Sequence, residues 1–249
     1  MKKSLLFTIK LLPIAIIGGI SVGFYSFESY SLSLQNQIIE QLGSLSMFIL
    51  VSTIQSLIYT IFCGGIGYYL SHQIGLWKEA TWETQYIKKS LLLGSLCGVV
   101  YLFIDTAIFA KLIPSVAKTY QYKPSFYNWM ASLFYGGVIE EVMLRLFFMS
   151  LIVFMIWKIF FRHYTKDKIP YSIFIIANVI SALIFAAGHI PATITTLGIS
   201  PIILMRCFLL NGGFGFIFGW LYQHYGIEYA MIGHISFHII SKFLWLLFL

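Results

Sequence analysis

Apolar residues run along this chain in long unbroken blocks, at 5–25, 45–70, 89–113, 127–160, 171–189, 202–223 and 229–248. Each block approaches or exceeds the roughly 20 helical residues that cross a hydrocarbon core of about 30 Å. A membrane β-barrel would need strands of about 10 residues that alternate apolar and polar positions, a pattern missing here. The blocks predict an all-α polytopic membrane protein with about seven transmembrane helices, six or eight being the neighbouring counts. Trp77, Trp82, Trp129, Tyr171 and Tyr222 fall near block ends, where aromatic belts meet the membrane surface.

Composition narrows the class further. With 59% hydrophobic and only 10% charged residues among 249, the chain is too apolar for a soluble globular domain. Its formal charge of +7 comes from lysines and arginines scattered at block borders, which excludes the basic aromatic face of a nucleic-acid binder and fits topogenic charge. Lys2 and Lys3, then Lys78, Lys88 and Lys89, then Lys158, Arg162, Lys166 and Lys168 fall on one side of an alternating path. Cytoplasmic loops are enriched in such residues, so the N-terminus is expected in the cytoplasm; Lys111, Lys118 and Lys123 run against this. The opening MKKSLLFTIKLLPIAIIGGISVGFYSF has the basic start of a signal peptide but no Ala-x-Ala site, and reads as an uncleaved first span. Cys63, Cys97 and Cys207 lie inside apolar blocks without paired spacing and are expected to pack.

Ionisable residues inside such blocks are the candidates for chemistry, because a charge at the centre of a bilayer helix costs about 2.5–3.5 kcal/mol on insertion scales. In GGVIEEVMLRLFF, Glu141 and Arg145 are four apart and share a helix face, so they pair. Glu140 points about 100° away, without that partner, and is the carboxylate left to act as a general base. An ion pair that only holds helices together, or lines an ion path, fits the same residues. SALIFAAGHIP places Phe185 and His189 on one face near a helix end set by Pro191, and GHISFH places His234 and His238 on one side of the last block. Two histidines at this spacing bind zinc in other proteins, with His189 or Glu140 completing a set; without metal they could orient a water or stabilise an oxyanion. Elsewhere, Asp105 is expected to pair structurally with Arg206 or Lys111, Asn178 and Asn211 to bond between helices, and Gly212, Gly213, Gly215 and Gly219 to allow close helix approach.

The ordered motifs Glu140-Glu141-x-x-x-Arg145, Phe185-x-x-x-His189 and His234-x-x-x-His238, with SALIFAAGH and FGFIFGWLYQHYGIEYAMIGH around them, resemble the CPBP family of CAAX proteases and bacteriocin-processing (Abi) enzymes. The likeness spans about 128–245. It implies an intramembrane, glutamate-dependent endopeptidase, a metalloprotease in some readings. Glu140 and His189 would activate water, Glu141 held by Arg145 would support them, and His234 and His238 would bind water, oxyanion or metal. His238 stands where the family commonly has Asn. Residues 127–249 would form the catalytic core and 1–126 an accessory set of helices. Implied partners are membrane lipid and a membrane-associated peptide or lipidated protein, such as a leader, pheromone or bacteriocin peptide or a CAAX-type tail, in a bacterial cell membrane. Zinc or another divalent metal held by His189, His234 and His238 remains an option. A non-catalytic immunity or regulatory protein that binds a peptide is the rival. One geometric tension is left: parallel fifth and seventh spans put His189 at the end of one and His234 near the start of the other, about 15 Å apart in depth for 10 residues of mismatch. A break at Asn211-Gly212-Gly213, or a projecting fourth span, would relieve it.

Overall fold

The computed structural model describes residues 2–249. Seven helices are long and apolar enough to cross a membrane: α1 (Lys2–Ser29), α2 (Leu45–Gln73), α3 (Thr84–Leu112), α4 (Phe126–Phe160), α5 (Tyr171–Leu197), α6 (Pro201–Tyr225) and α7 (Ile227–Phe248). No strand occurs among the described residues. The chain is an all-α polytopic membrane protein, as the apolar blocks predict, because in lipid a helix satisfies its own backbone hydrogen bonds.

Connections set the path. Between α1 and α2 lies a short helix, Leu32–Leu42, that the apolar blocks do not reveal; Ser31 caps its start and Gly43, at φ 83°, ends it. None of its residues is buried, so it lies outside the bundle. Only Gly226 separates α6 from α7, at φ 118°, a backbone angle open to glycine, and it folds α7 back along α6.

Helix α4 is central and packs against α1, α2, α5, α6 and α7. Its backbone widens to π-helical turns over Ala131–Glu140 and Val142–Met149, a winding that recurs at functional sites. α1 lies along α2 and α4, and α3 along α7, so the earlier helices share one core with the later ones. Small residues make these contacts close, as membrane helices require. A Cβ on Gly98 of α3 would sit 2.7 Å from the Phe237 carbonyl oxygen of α7. Gly98→Val is therefore expected to force α3 and α7 apart and to destabilise the fold by about 1–3 kcal/mol, the usual cost of overpacking. A thermal midpoint in detergent equal to wild type would contradict that contact.

A second apolar cluster, with Phe109, Ile113, Val116, Ile203 and Leu210, joins α3 to α6. Beside it Arg206 donates to both oxygens of Asp105 at 2.6 Å, and Tyr120 donates to the same carboxylate at 2.6 Å. Of the two partners expected for Asp105, the structure selects Arg206. Asn178 does bond between helices, donating to the Phe216 carbonyl at 3.0 Å. Asn211 does not, because its amide turns back to the Cys207 carbonyl of its own helix. Gly213 likewise meets nothing, whereas Gly212, Gly215 and Gly219 face Ala182, Phe185 and Asn178 of α5. Cys63, Cys97 and Cys207 are buried and free.

Candidate active site

Helix α5 does not stop at His189. It turns there between Tyr171–Gly188 and Ile190–Leu197 and continues as one span, with Pro191 accommodated in the first turn of the second segment, where no amide hydrogen is needed. That continuation answers the depth problem, since His189 lies inside its span. α6 widens at Phe208–Gly212 but does not break. α4 runs antiparallel to α5 and α7, with Ser181 donating to the Leu144 carbonyl at 2.6 Å and Lys242 to Asn128. The three motifs thus meet at one level of the bundle.

The site has a dry half and an open half. In the dry half Glu141 and Arg145 are 0% exposed and His234 is 3% exposed. Arg145 Nε lies 3.4 Å from Glu141 Oε2, close enough for an ion pair but not aligned as a hydrogen bond. Its Nη2 donates to the Gly215 carbonyl at 2.9 Å, and its guanidinium carbon lies 4.9 Å from the centre of the Phe185 ring. The other Glu141 oxygen accepts from His234 Nδ1 at 2.8 Å. Phe185 also meets the His189 and His234 rings edge-on, at 4.7 and 6.0 Å between centres. The aromatic ring spaces the two histidines as well as covering the arginine.

In the open half, Glu140 and His189 keep 18% and 33% of their side-chain surface exposed. His189 Nδ1 donates to the Phe185 carbonyl at 2.9 Å. Since a carbonyl can only accept, the neutral ring presents a bare Nε2, 3.9 Å from Glu140 Oε1. Two acceptors facing each other at that separation are a place for a water that donates one hydrogen to each. The same logic fixes His234: with Nδ1–H given to Glu141, its Nε2 is bare until the ring takes a second proton. His238 stacks on His234, with ring centres 4.8 Å apart and planes at 23°.

His238 reaches α4 through Gly136, where a Cβ would lie 2.9 Å from its Nε2 and 3.8 Å from Glu140 Oε2. Gly136→Ala is expected to push the imidazole aside while α4 and α7 stay packed. A displacement of about 1 Å at a reacting centre lowers a rate by as much as about 100-fold. The readout is turnover against thermal midpoint; unchanged turnover would place His238 outside the chemistry.

Among the described residues no three of His, Cys, Asp or Glu stand close enough together as a ligand set. The Nδ1 atoms of His189 and His234 are already engaged, which leaves Nε2 as the free nitrogen of each ring. The sequence motifs omit Asn128 and Lys242, at the far end of the same faces of α4 and α7. A lysine inside the last apolar block, four residues after His238, was the available signal.

Every motif residue falls within residues 122–240, which match the family model described as type II CAAX prenyl endopeptidase Rce1-like. No curated protein and no solved structure matches the chain. The match runs from the loop before α4 to the histidine-bearing part of α7, and it is to the CAAX protease family that the ordered motifs resemble.

Proposed function

We propose that the protein is an intramembrane, glutamate-dependent endopeptidase that hydrolyses a peptide bond near the end of a membrane-associated peptide or lipidated protein. The observation that carries this reading is the acceptor pair of Glu140 Oε1 and His189 Nε2, 3.9 Å apart with both side chains partly exposed, beside the buried pair of Glu141 and Arg145. A water held between them donates one hydrogen to each, which leaves an oxygen lone pair for the carbonyl carbon of the substrate. As that bond forms, Glu140 takes the proton, and it returns the proton to the amine nitrogen as the C–N bond breaks. The developing oxyanion is stabilised by His238, which donates from the ring nitrogen that carries its proton and is stacked on the His234 ring that Glu141 fixes.

The apolar residues of α5 and α7 around the site suit a substrate held by lipid or by an amphipathic helix, such as a leader or bacteriocin peptide or a CAAX-type tail. The N-terminus and the basic connections α2–α3 and α4–α5 would lie on the cytoplasmic side. The test is cleavage of membrane-anchored peptides by purified protein in lipid, with and without a chelator. Cleavage that resists the chelator supports the water mechanism, and cleavage that the chelator removes assigns the free His Nε2 atoms to a metal such as zinc. Absence of cleavage with folded protein and a broad peptide set would favour a non-catalytic peptide-binding role.

A further inference from the structure

The first turns of α1, the α2–α3 connection and the start of α7 enclose a cleft of about 570 Å³ that the proposed reaction does not use. Its size is within the roughly 300–1,000 Å³ of small-molecule sites. Leu11 and Ile227, both buried, supply apolar lining, and Lys3, Lys10, Glu79 and Glu228 supply four charges. Among the described residues none of these four takes part in an ion pair. Lys3, Lys10 and Glu79 are exposed and Glu228 is half-buried, so the charges stand at an open mouth above the apolar part. Two tryptophans of the α2–α3 connection complete the lining, and each carries an unspent interaction. The indole N–H of Trp77 is buried without an acceptor, a cost that lasts until an acceptor arrives. Trp82 sits at φ 53° with 61% of its surface exposed. A bulky side chain at that angle is an outlier, and such strain persists only where the surroundings impose it, often at ligand clamps. Here the connection is pinned on both sides: Lys78 donates to the His224 carbonyl, and the Glu83 backbone N–H donates to Tyr229 Oη at 3.0 Å.

The order of the charges says what fills the cleft. Lys3 and Lys10 are seven residues apart on α1, close to two full turns, and so share one face of the helix; together they suit an anion. Glu79 and Glu228 come from the α2–α3 connection and from α7, and two unpaired carboxylates at one cleft are relieved by a cation, which the face of a tryptophan ring also attracts. The cleft lies where α1 and α7 begin and α2 has ended, at the border that tryptophan marks in membrane proteins. A molecule that meets all of this has an apolar tail, a phosphate and an ammonium in sequence. A phospholipid without an amine would leave both carboxylates facing its phosphate.

We propose that this cleft binds the headgroup of an aminophospholipid, its phosphate held by Lys3, Lys10 and the Trp77 indole N–H and its ammonium by Glu79 and Glu228 beside the Trp82 ring. The probes are short-chain phosphatidylethanolamine, its N-acetyl derivative, phosphatidylglycerol, and glycerophosphoethanolamine, which keeps the headgroup and lacks the acyl chains. Each is titrated into the purified full chain in detergent, and bound lipid is counted by native mass spectrometry. Wild type should bind phosphatidylethanolamine about 10–100-fold more tightly than the N-acetyl form, the range for a hydrogen bond to a charged group. Glu79→Gln with Glu228→Gln should bring that ratio near one, whereas Lys3→Gln with Lys10→Gln should weaken both lipids together. Should the glutamine variants not fold, the wild-type series decides by itself. Equal binding of the amine and its N-acetyl form, tighter binding of phosphatidylglycerol, or a preference that survives loss of both carboxylates would each overturn the site. Glycerophosphoethanolamine should bind at least about 10-fold more weakly than the lipid, because it buries no acyl chain. Equal binding of that compound would overturn the lipid and assign the cleft to a soluble amino-phosphate.

Discussion

Glu140→Gln is expected to lower the rate of peptide cleavage by about 10²–10⁴-fold, the usual contribution of a positioned general base, with no loss of folded protein. The two halves of that outcome have separate physical causes. Glutamine keeps the shape and one acceptor oxygen, so the water can still be held, but it cannot take a proton from it. Stability is spared because Glu140 is partly exposed and its nearest ionisable neighbour is the neutral His189 ring at 3.9 Å, not the arginine. Removing its charge leaves no buried partner stranded. The measurement is single-turnover cleavage beside a thermal midpoint, in the same lipid or detergent. A variant that folds and cleaves at the wild-type rate would remove Glu140 from the reaction, and a variant that fails to fold would mean that its charge is structural after all. Glu141→Gln is the contrast, since it takes the countercharge from a fully buried Arg145.

The distinction between these adjacent glutamates was legible before any coordinates, because four residues on a helix pair Glu141 with Arg145 and turn Glu140 away. So were the seven spans, which rest on a length that the bilayer imposes. What sequence patterning could not set was depth. Pro191 marks a helix stop in most contexts, yet here it begins a new segment after a turn at His189, and the span runs on to Leu197. That error alone made the histidines appear about 15 Å apart in level. Asn211 failed for a related reason: an amide that can reach either a neighbouring helix or its own preceding turn gives no sequence sign of its choice, and it bonds to Cys207. The short Leu32–Leu42 helix buries nothing, so it lacks the apolar block that identified the others. Lys242 was visible as a charge inside the last span, but its partner Asn128 lies 114 residues earlier.

The largest effect on the fold is expected from Arg145→Met, which should destabilise the protein by about 3–5 kcal/mol, the cost of leaving one member of a buried ion pair alone. Methionine fills much of the space over Phe185, so lost volume is a minor part of that cost. Three groups lose their partner together: the Glu141 carboxylate, the Gly215 carbonyl that accepts from Nη2, and the face of the Phe185 ring. Glu141 has no water to turn to at 0% exposure, and His234, held by its other oxygen at 2.8 Å, would shift with it. The prediction separates charge from shape when Glu141→Gln is added to Arg145→Met. The double variant carries no stranded charge, and a glutamine oxygen can still accept from His234 Nδ1. It should therefore be more stable than Arg145→Met alone, a coupling that a double-mutant cycle measures directly. Additive losses in that cycle would show that Arg145 acts by filling space, and the water-binding half of the site would then need another explanation for its order.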